Sequence, residues 1–345
     1  MNSVDAAPRA PLAATSTPVS KSVIARRGGF APGWTGALAV LALLAVGITF
    51  VAKGFQLFQA TMVLSYAIAL LGLNILTGYN GQISLGHGAF YAIGAYTTAI
   101  LMDQGGVAYW ATVPAAAVVC LLVGYAFGRP ALKLEGLYLA LATFALGVAM
   151  PQLLKYKHLE AWTGGVQGIV LMKPDAPFGL PLTPDQWLYL FALFVTVIMF
   201  ALAHNLLHSG TGRAMRAIRD HAMAAEAMGV DNKHCKAMTF GVSAAYTGVG
   251  GALSAIAVQF VAPDSFTLFL SISLLVGIVI GGVGTLWGAL FGAIFIMFVP
   301  SLAEQVSKAA PWAIYGVVLI AMAFAMPGGV VGLLRKIQAR WHTSG

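Results

Sequence analysis

The sequence predicts an all-α fold, a polytopic bundle of about ten transmembrane helices, and three observations carry that expectation. Of its 345 residues 59% are hydrophobic and only 9% charged, with a mean hydropathy of +0.84, whereas a soluble domain carries about 25% charged residues. So few charges cannot clothe a water-soluble globule of this size, which excludes cytosolic enzymes, secreted domains and disordered chains. The apolar residues fall in runs close to the ~20 residues that cross a bilayer as a helix. Finally, 40 glycines sit among those runs, where a missing side chain lets helices approach closely.

Taken in order, residues 1–33 are rich in Ala, Pro, Ser and Thr and carry Arg9, Lys21, Arg26 and Arg27 against Asp5, the composition of a disordered cytoplasmic tail. The first apolar run begins only at Trp34, too late for a signal peptide, and is read as a retained helix. The ruler then places spans near 34–51, 55–77, 88–101, 107–128 and 134–154. A polar stretch from Lys155 to Asp185 follows. Further spans lie near 186–207, 237–261, 268–282, 285–299 and 312–333. The run at 88–101 is short, and so is each half of the pair split at Gly281-Gly282. If both re-enter rather than cross, the count falls to eight with the same parity. A single membrane domain thus covers 34–334, with a cytoplasmic segment at 208–236 and a short tail at 335–345.

Orientation follows from the positive-inside rule. With ten crossings, one face collects the four basic residues of the first tail, Arg129, Lys133, Arg213, Arg216, Arg219, Lys233, Lys236, Arg335, Lys336 and Arg340. The other face keeps Lys53, Lys155, Lys157, Lys173 and Lys308. Both termini are therefore expected in the cytoplasm. The net charge of +8 reports this asymmetry rather than a nucleic-acid surface.

Several chemistries have no parts here. No Gly-Lys dipeptide occurs, so the phosphate-gripping pattern GxxxxGK[ST] is absent and ATP is not hydrolysed by that route. All eleven acids lie in tails, loops or span ends, with Asp103, Glu135, Asp264 and Glu304 at the margins of apolar runs. That weakens an ion-coupled secondary transporter, the reading of a different class, because such carriers commonly hold a carboxylate within the membrane. Cys120 and Cys235 are too few for a disulfide framework or metal site. Ser84 and His87 stand three residues apart, as a nucleophile and its base can, yet nothing supplies an orienting group or oxyanion hole. Neither catalytic nor metal-binding residues are expected.

Three segments carry information. In the run from Asn74 to Tyr91, glycines and uncharged hydrogen-bonding residues interrupt an apolar stretch. Broken backbone at membrane depth offers free amides and carbonyls suited to the two ends of a zwitterion. Asn74, Thr77, Gly81, Gln82, Ser84, Gly86, His87 and Tyr91 are the candidates for the substrate pathway; the alternative is an interhelical turn with a packed histidine. A glycine-rich loop on the outer face, with Thr163, Gly164, Gly165 and Gly168, is either a docking surface and gate or an ordinary flexible loop. The third segment, Arg213 to Gly229, predicts a cytoplasmic amphipathic helix of about four turns. Ser209 or Thr211 starts it, Gly229 ends it, and Met215, Ile218, Ala222 and Ala225 form one stripe. An Arg216–Asp220 pair is expected at the i,i+4 spacing. Such a helix docks into a partner's groove or lies on lipid headgroups, and its mixed charges favour a protein partner.

Three blocks resemble a known family, the permeases of ATP-binding-cassette importers for branched-chain amino acids in their LivM-like branch. They are NILTGYNGQISLGHGAFYAIGAYTTAIL (74–101), GRAMRAIRDHAMAAEAMGVDNKHCKAMTFGVSAAYTGVGGAL (212–253) and GIVIGGVGTLWGALFGA (277–293). With LEGLYLALATFA (134–145) and TGGVQGI (163–169), the similarity spans about 55–335, leaving the first 33 residues outside. Ala289 departs from the pattern, standing where the family usually has proline. The resemblance implies a bacterial inner-membrane subunit that imports leucine, isoleucine and valine, or in related machines urea, short amides or other small carboxylates. It implies that Arg213, Arg216, Arg219, Asp220, Glu226 and Gly229 belong to the segment that receives the ATPase stroke. It also implies the partners: a second related permease, two cytoplasmic ATPase subunits that hydrolyse the ATP, and a periplasmic or lipoprotein substrate-binding protein. No cofactor is expected on this chain itself.

Overall fold

Helix is the open-chain structure that satisfies every backbone polar group within its own segment, so apolar runs destined for lipid fold as helices. The computed structural model describes residues 45–49, 51–131, 136–177, 181–306, 308, 311–326, 328–334 and 336. The bundle consists of α1 (Gly54–Asn74), α2 (His87–Asp103), α3 (Tyr109–Ala131), α4 (Leu137–Leu154), α5 (Pro184–His208), α6 (Gly210–Ala227), α7 (Asn232–Val258), α8 (Leu268–Gly281), α9 (Leu286–Val306) and α10 (Pro311–Ala325). Residues 45–49 are helical as well. The expected tails at 1–33 and 335–345, Lys336 apart, lie outside the described residues, as do Lys133 and Glu135.

Among the described residues six helices are long and apolar enough to cross a membrane: residues 54–79, 109–130, 137–154, 184–208, 232–258 and 286–305. α2, α8 and α10 are shorter, at 17, 14 and 15 residues. Two boundaries differ from expectation. α7 begins at Asn232 rather than near 237, because the Asp231 side chain caps it by accepting from the His234 amide at 3.0 Å. α10 stops at Ala325 rather than running to 333, and a separate helical piece covers 329–334. The chain carries Pro327 between them, and the residue before a proline disfavours helix.

α7 is the centre of the bundle, packed against α1, α2 and α3. Of the apolar windows of α1 and α7, 83% is buried, against 33–44% for the other four long spans, so these two helices form the core and the rest surround them. Close approach requires small residues. A Cβ on Gly251 of α7 would collide with the Tyr91 carbonyl of α2. The outward faces of α3 and α4 expose Val118, Leu122, Leu137, Leu141 and Phe144, as expected of helices whose solvent is lipid.

The two ends of the bundle differ in charge. At one end Lys155 pairs with Asp264 at 2.5 Å, Lys173 pairs with Asp185, and Gln186 Nε2 donates to Thr49 O at 3.2 Å. There too the strands β1 (Ile169–Val170) and β2 (Phe260–Val261) pair antiparallel, Ile169 opposite Val261. At the opposite end lie α6, with Arg213, Arg216 and Arg219, the start of α7 with Lys233 and Lys236, and Arg129 in the last turn of α3. The charge-based orientation makes these the expected outer and inner ends respectively. The turn between α8 and α9 reaches the inner end, since Gly284 abuts Gly78 near the close of the 26-residue run 54–79.

Candidate functional site

α1 does not simply stop at Asn74. Residues Ile75–Tyr79 continue as a π-turn, a geometry that is rare and frequent at functional sites. The Asn74 amide staples this break to the α8–α9 turn: Nδ2 donates to Thr285 O at 2.7 Å, and Oδ1 accepts from Gly284 N at 2.8 Å. The contact demands glycine, because a Cβ on Gly78 would lie 2.5 Å from the Gly284 nitrogen. On the inner side the Gly78 carbonyl accepts from Arg219 Nη1 at 2.9 Å. The remaining edge of that guanidinium, Nε and Nη2, holds Asp220 Oδ1 at 2.9 Å each. Thr77 Oγ1 donates to Gln82 O at 3.0 Å and Gln82 Nε2 to Lys236 O at 3.4 Å. Gly81, at φ +73°, lies under the Arg219 side chain.

A second layer stands deeper. Ser243 Oγ donates to Gly72 O at 2.7 Å, which uses its only proton. It therefore accepts from His87 Nε2 at 2.6 Å. For a neutral ring this fixes the Nε2–H tautomer, whose Nδ1 accepts from Ser84 Oγ at 2.9 Å. Ser84 Oγ in turn accepts from Gly86 N at 3.3 Å. Two further hydroxyls serve the amides where α2 starts: Thr143 Oγ1 accepts from Leu85 N at 3.0 Å, and Ser271 Oγ accepts from Gly88 N at 2.9 Å. Farther out, Tyr91 Oη lies 3.0 Å from Ser65 Oγ, which donates to Gly250 O at 2.6 Å.

The eight pathway candidates thus form one stack from the inner end into the bundle. They do not line one open surface. Asn74 and Ser84 are 0% exposed and His87 1%, with their polar atoms paired inside the chain; Gly81 is exposed and Thr77 partly so. The Ser84–His87 spacing would suit a nucleophile and its base, but the far ring nitrogen meets a serine hydroxyl where a triad places a carboxylate.

Thr163, Gly164, Gly165 and Gly168 lie apart, at the outer end. Thr163 Oγ1 donates to Leu154 O at 2.8 Å and accepts from Gly165 N at 3.2 Å. The three glycines all have positive φ, and Gly168 backs onto the Val261 carbonyl of β2. The segment is a built turn joined to the short hairpin.

α6 is capped at both ends. Ser209 Oγ accepts from Gly212 N at 3.4 Å. Gly229, at φ +86°, closes a Schellman turn in which its amide donates to Glu226 O at 2.9 Å and the Val230 amide to Ala225 O at 3.0 Å. Met215, Ile218 and Ala225 face inward at 1%, 4% and 4% exposure, with Ala222 partly buried. The helix is not continuous. His221 is extended (φ −160°, ψ 96°), and its Nδ1 accepts from Ala224 N at 3.3 Å, recapping the second piece. Asp220 consequently ends the first piece and pairs with its neighbour Arg219, in place of the expected Arg216. The second piece exposes Met223 and Met228, at 79% and 86%, beside a cleft of about 560 Å³ lined by Glu226, Gly229, Asp231 and Lys233 among others. Glu226 itself accepts from Asn232 Nδ2 at 3.3 Å.

Sequence reasoning did not single out Asn80, Thr143, Ser243, Ser271 or Gly284. Asn80 is 2% exposed with no hydrogen-bond partner for either amide atom. The available signal was a polar residue, or a glycine, placed inside or beside an apolar run.

The family model described as "Branched-chain amino acid transport system / permease component" matches residues 55–326. The chain is 31% identical over 321 residues to the high-affinity branched-chain amino acid transport system permease protein LivM of Escherichia coli (strain K12), covering 86% of this chain and 75% of that protein. It is 25% identical over 303 residues to the permease protein LivH of the corresponding Salmonella typhimurium system, covering 80% and 94%. The permease protein BraD of Pseudomonas aeruginosa is 22% identical over 285 residues, covering 78% and 92%. No solved structure matches significantly.

Proposed function

The chain belongs to the branched-chain amino acid transport permease family, and from that premise we propose that it forms part of the translocation pathway of an ATP-driven importer in the bacterial inner membrane. Its solutes are leucine, isoleucine and valine. A second, LivH-like permease completes the pathway, a binding protein delivers the solute at the outer end, and two cytoplasmic ATPase subunits hydrolyse the ATP.

The observation that carries this reading is the second piece of α6. It combines two exposed methionines, a mixed-charge cleft and a fixed glycine cap at the inner end. Methionine surfaces suit protein partners, and a chain without a phosphate loop needs its energy from one. Glu226 and Gly229 therefore belong to the ATPase-facing surface, with Arg213 and Arg216 on the same helix. The stack from Asn74 to Tyr91 supports the pathway by its composition: uncharged groups and backbone ends suit a zwitterion.

The test is purification from native membranes in mild detergent, identification of what co-purifies, and reconstitution. Uptake of labelled leucine that requires both ATP and the binding protein is the expected result. An ATP-dependent complex that ignores leucine would redirect the substrate to urea, short amides or other small carboxylates. Uptake driven by a proton or sodium gradient without ATP would overturn the reading.

A further inference from the structure

We infer that Arg219 is a positioning residue that transmits movement of the inner-end helix α6 to the broken helix α1 and, through Asn74, to the α8–α9 turn. The inference rests on the reading of α6 as the surface that meets the ATPases. Three contacts form the chain: Arg219 to the Gly78 carbonyl, Gly78 against Gly284, and Asn74 to both Gly284 and Thr285. Each joins segments more than 130 residues apart in sequence, so none is a local helix contact.

The chemistry suits transmission better than partner binding. The planar guanidinium is occupied within the chain, one edge on the exposed neighbour Asp220 and the remaining nitrogen on the Gly78 carbonyl, a fork that lysine cannot reproduce. The groups offered outward, Met223, Glu226 and Met228, lie beyond the break at His221. α6 is thus divided at His221 into a piece followed by the exposed methionine cap and a piece whose Arg219 grips the bundle. The element gripped is a π-turn, a local departure from α-helix that other packing can shift. Gly78 and Gly284 meet backbone to backbone, so displacement of one moves the other without a flexible side chain between them. Coupling of this kind requires an element with two arrangements that both sites bias, and the π-turn is that element.

The test uses the whole complex in proteoliposomes, with a reporter cysteine at Val283, which is 46% exposed in the α8–α9 turn; native Cys120 and Cys235 are both buried. The maleimide labelling rate of Val283→Cys is measured without nucleotide and with trapped ATP. The expected result is a change of about threefold or more with Arg219 present that disappears in Arg219→Ala and in Asn74→Ala. Arg219→Lys, which keeps charge and fold, restores less than half of it. Leucine moved per ATP hydrolysed falls about tenfold in each single variant, and the double variant is no worse than the more severe single, as expected of serial contacts. The proposal is overturned if labelling still responds to ATP in Arg219→Ala, if the losses multiply, or if Arg219→Ala releases the ATPases, which would make it a docking residue. Failure of the parent reading is distinct: Val283→Cys with Arg219 intact would not respond to ATP at all.

Discussion

His87 and Ser243, 156 residues apart and on different helices, share a hydrogen bond of 2.6 Å between Nε2 and Oγ. Ser243 donates its own hydroxyl proton in a hydrogen bond to the Gly72 carbonyl of α1, so the His87–Ser243 pair links α2, α7 and α1. Removing Ser243 leaves a buried ring N–H without its partner and takes one of two donors from the Gly72 carbonyl, which also accepts from the Ile75 amide. Ser243→Ala is therefore expected to destabilise the bundle by about 1–2 kcal/mol, read as a lower unfolding temperature in detergent. Ser84→Leu is expected to be worse, because Ser84 is fully buried and a larger apolar side chain has no space there. Unchanged unfolding temperatures in both would mean that the network contributes nothing to packing.

The cap of α6 gives a second prediction. Gly229 holds φ +86° and donates its amide to Glu226 O. Proline fixes φ near −65° and has no amide proton, so Gly229→Pro destroys the cap from both directions. Alanine keeps the proton and meets only the strain of positive φ, about 1–2 kcal/mol. Transport in reconstituted complexes should fall in the order wild type, Gly229→Ala, Gly229→Pro, with membrane insertion unchanged. Equal transport by Gly229→Pro and wild type would sever this turn from the ATPase-facing surface.

Glu226→Lys probes the same surface by charge. The substitution replaces the acceptor of the Asn232 hydrogen bond with a cation beside Lys233 and Lys236 in the cleft. ATPase subunits should co-purify at reduced yield, and the defect should deepen as ionic strength falls, since repulsion between exposed charges is least screened there. A full yield at low salt would place the partner elsewhere.

The long helices were legible because lipid imposes a length and a composition, and the runs at 55–77 and 186–207 needed nothing more. The broken element was legible as a break but not as a π-turn, which differs from α-helix by one residue per turn and leaves no composition of its own. Contacts such as Arg219 to Gly78 were beyond reach, because the partner is a backbone carbonyl and any residue type supplies one. The Arg216–Asp220 pair failed for a related reason: the spacing rule assumes a continuous helix, and nothing in an alanine-rich segment marked His221 as extended. Asp231 was readable as a cap, yet the polar run from Asp231 to Lys236 masked the start of α7.

Orientation has a direct test. Met172 is 90% exposed at the outer end and Met228 86% exposed at the inner end. With native Cys120 and Cys235 buried, a membrane-impermeant maleimide applied to intact spheroplasts should label Met172→Cys and spare Met228→Cys until the membrane is permeabilised. The opposite pattern would invert the charge-based orientation and place α6 outside the cytoplasm.

Asn80 separates stability from function. Its amide is buried at the end of the π-turn with neither atom hydrogen bonded. A buried polar group left unpaired costs about 1–3 kcal/mol, so Asn80→Leu, which keeps the number and branching of side-chain heavy atoms, is expected to raise the unfolding temperature in detergent. A hydrogen-bond partner in another conformation would offset that cost, and the α1 break is the element that the transport cycle would move. The same variant is therefore expected to lower the transport rate about tenfold while the complex assembles normally, as for the loss of one hydrogen bond made only along the reaction path. A more stable protein that transports at the wild-type rate would show that the Asn80 amide has no such partner, and a less stable one that it is already paired through water in this conformation.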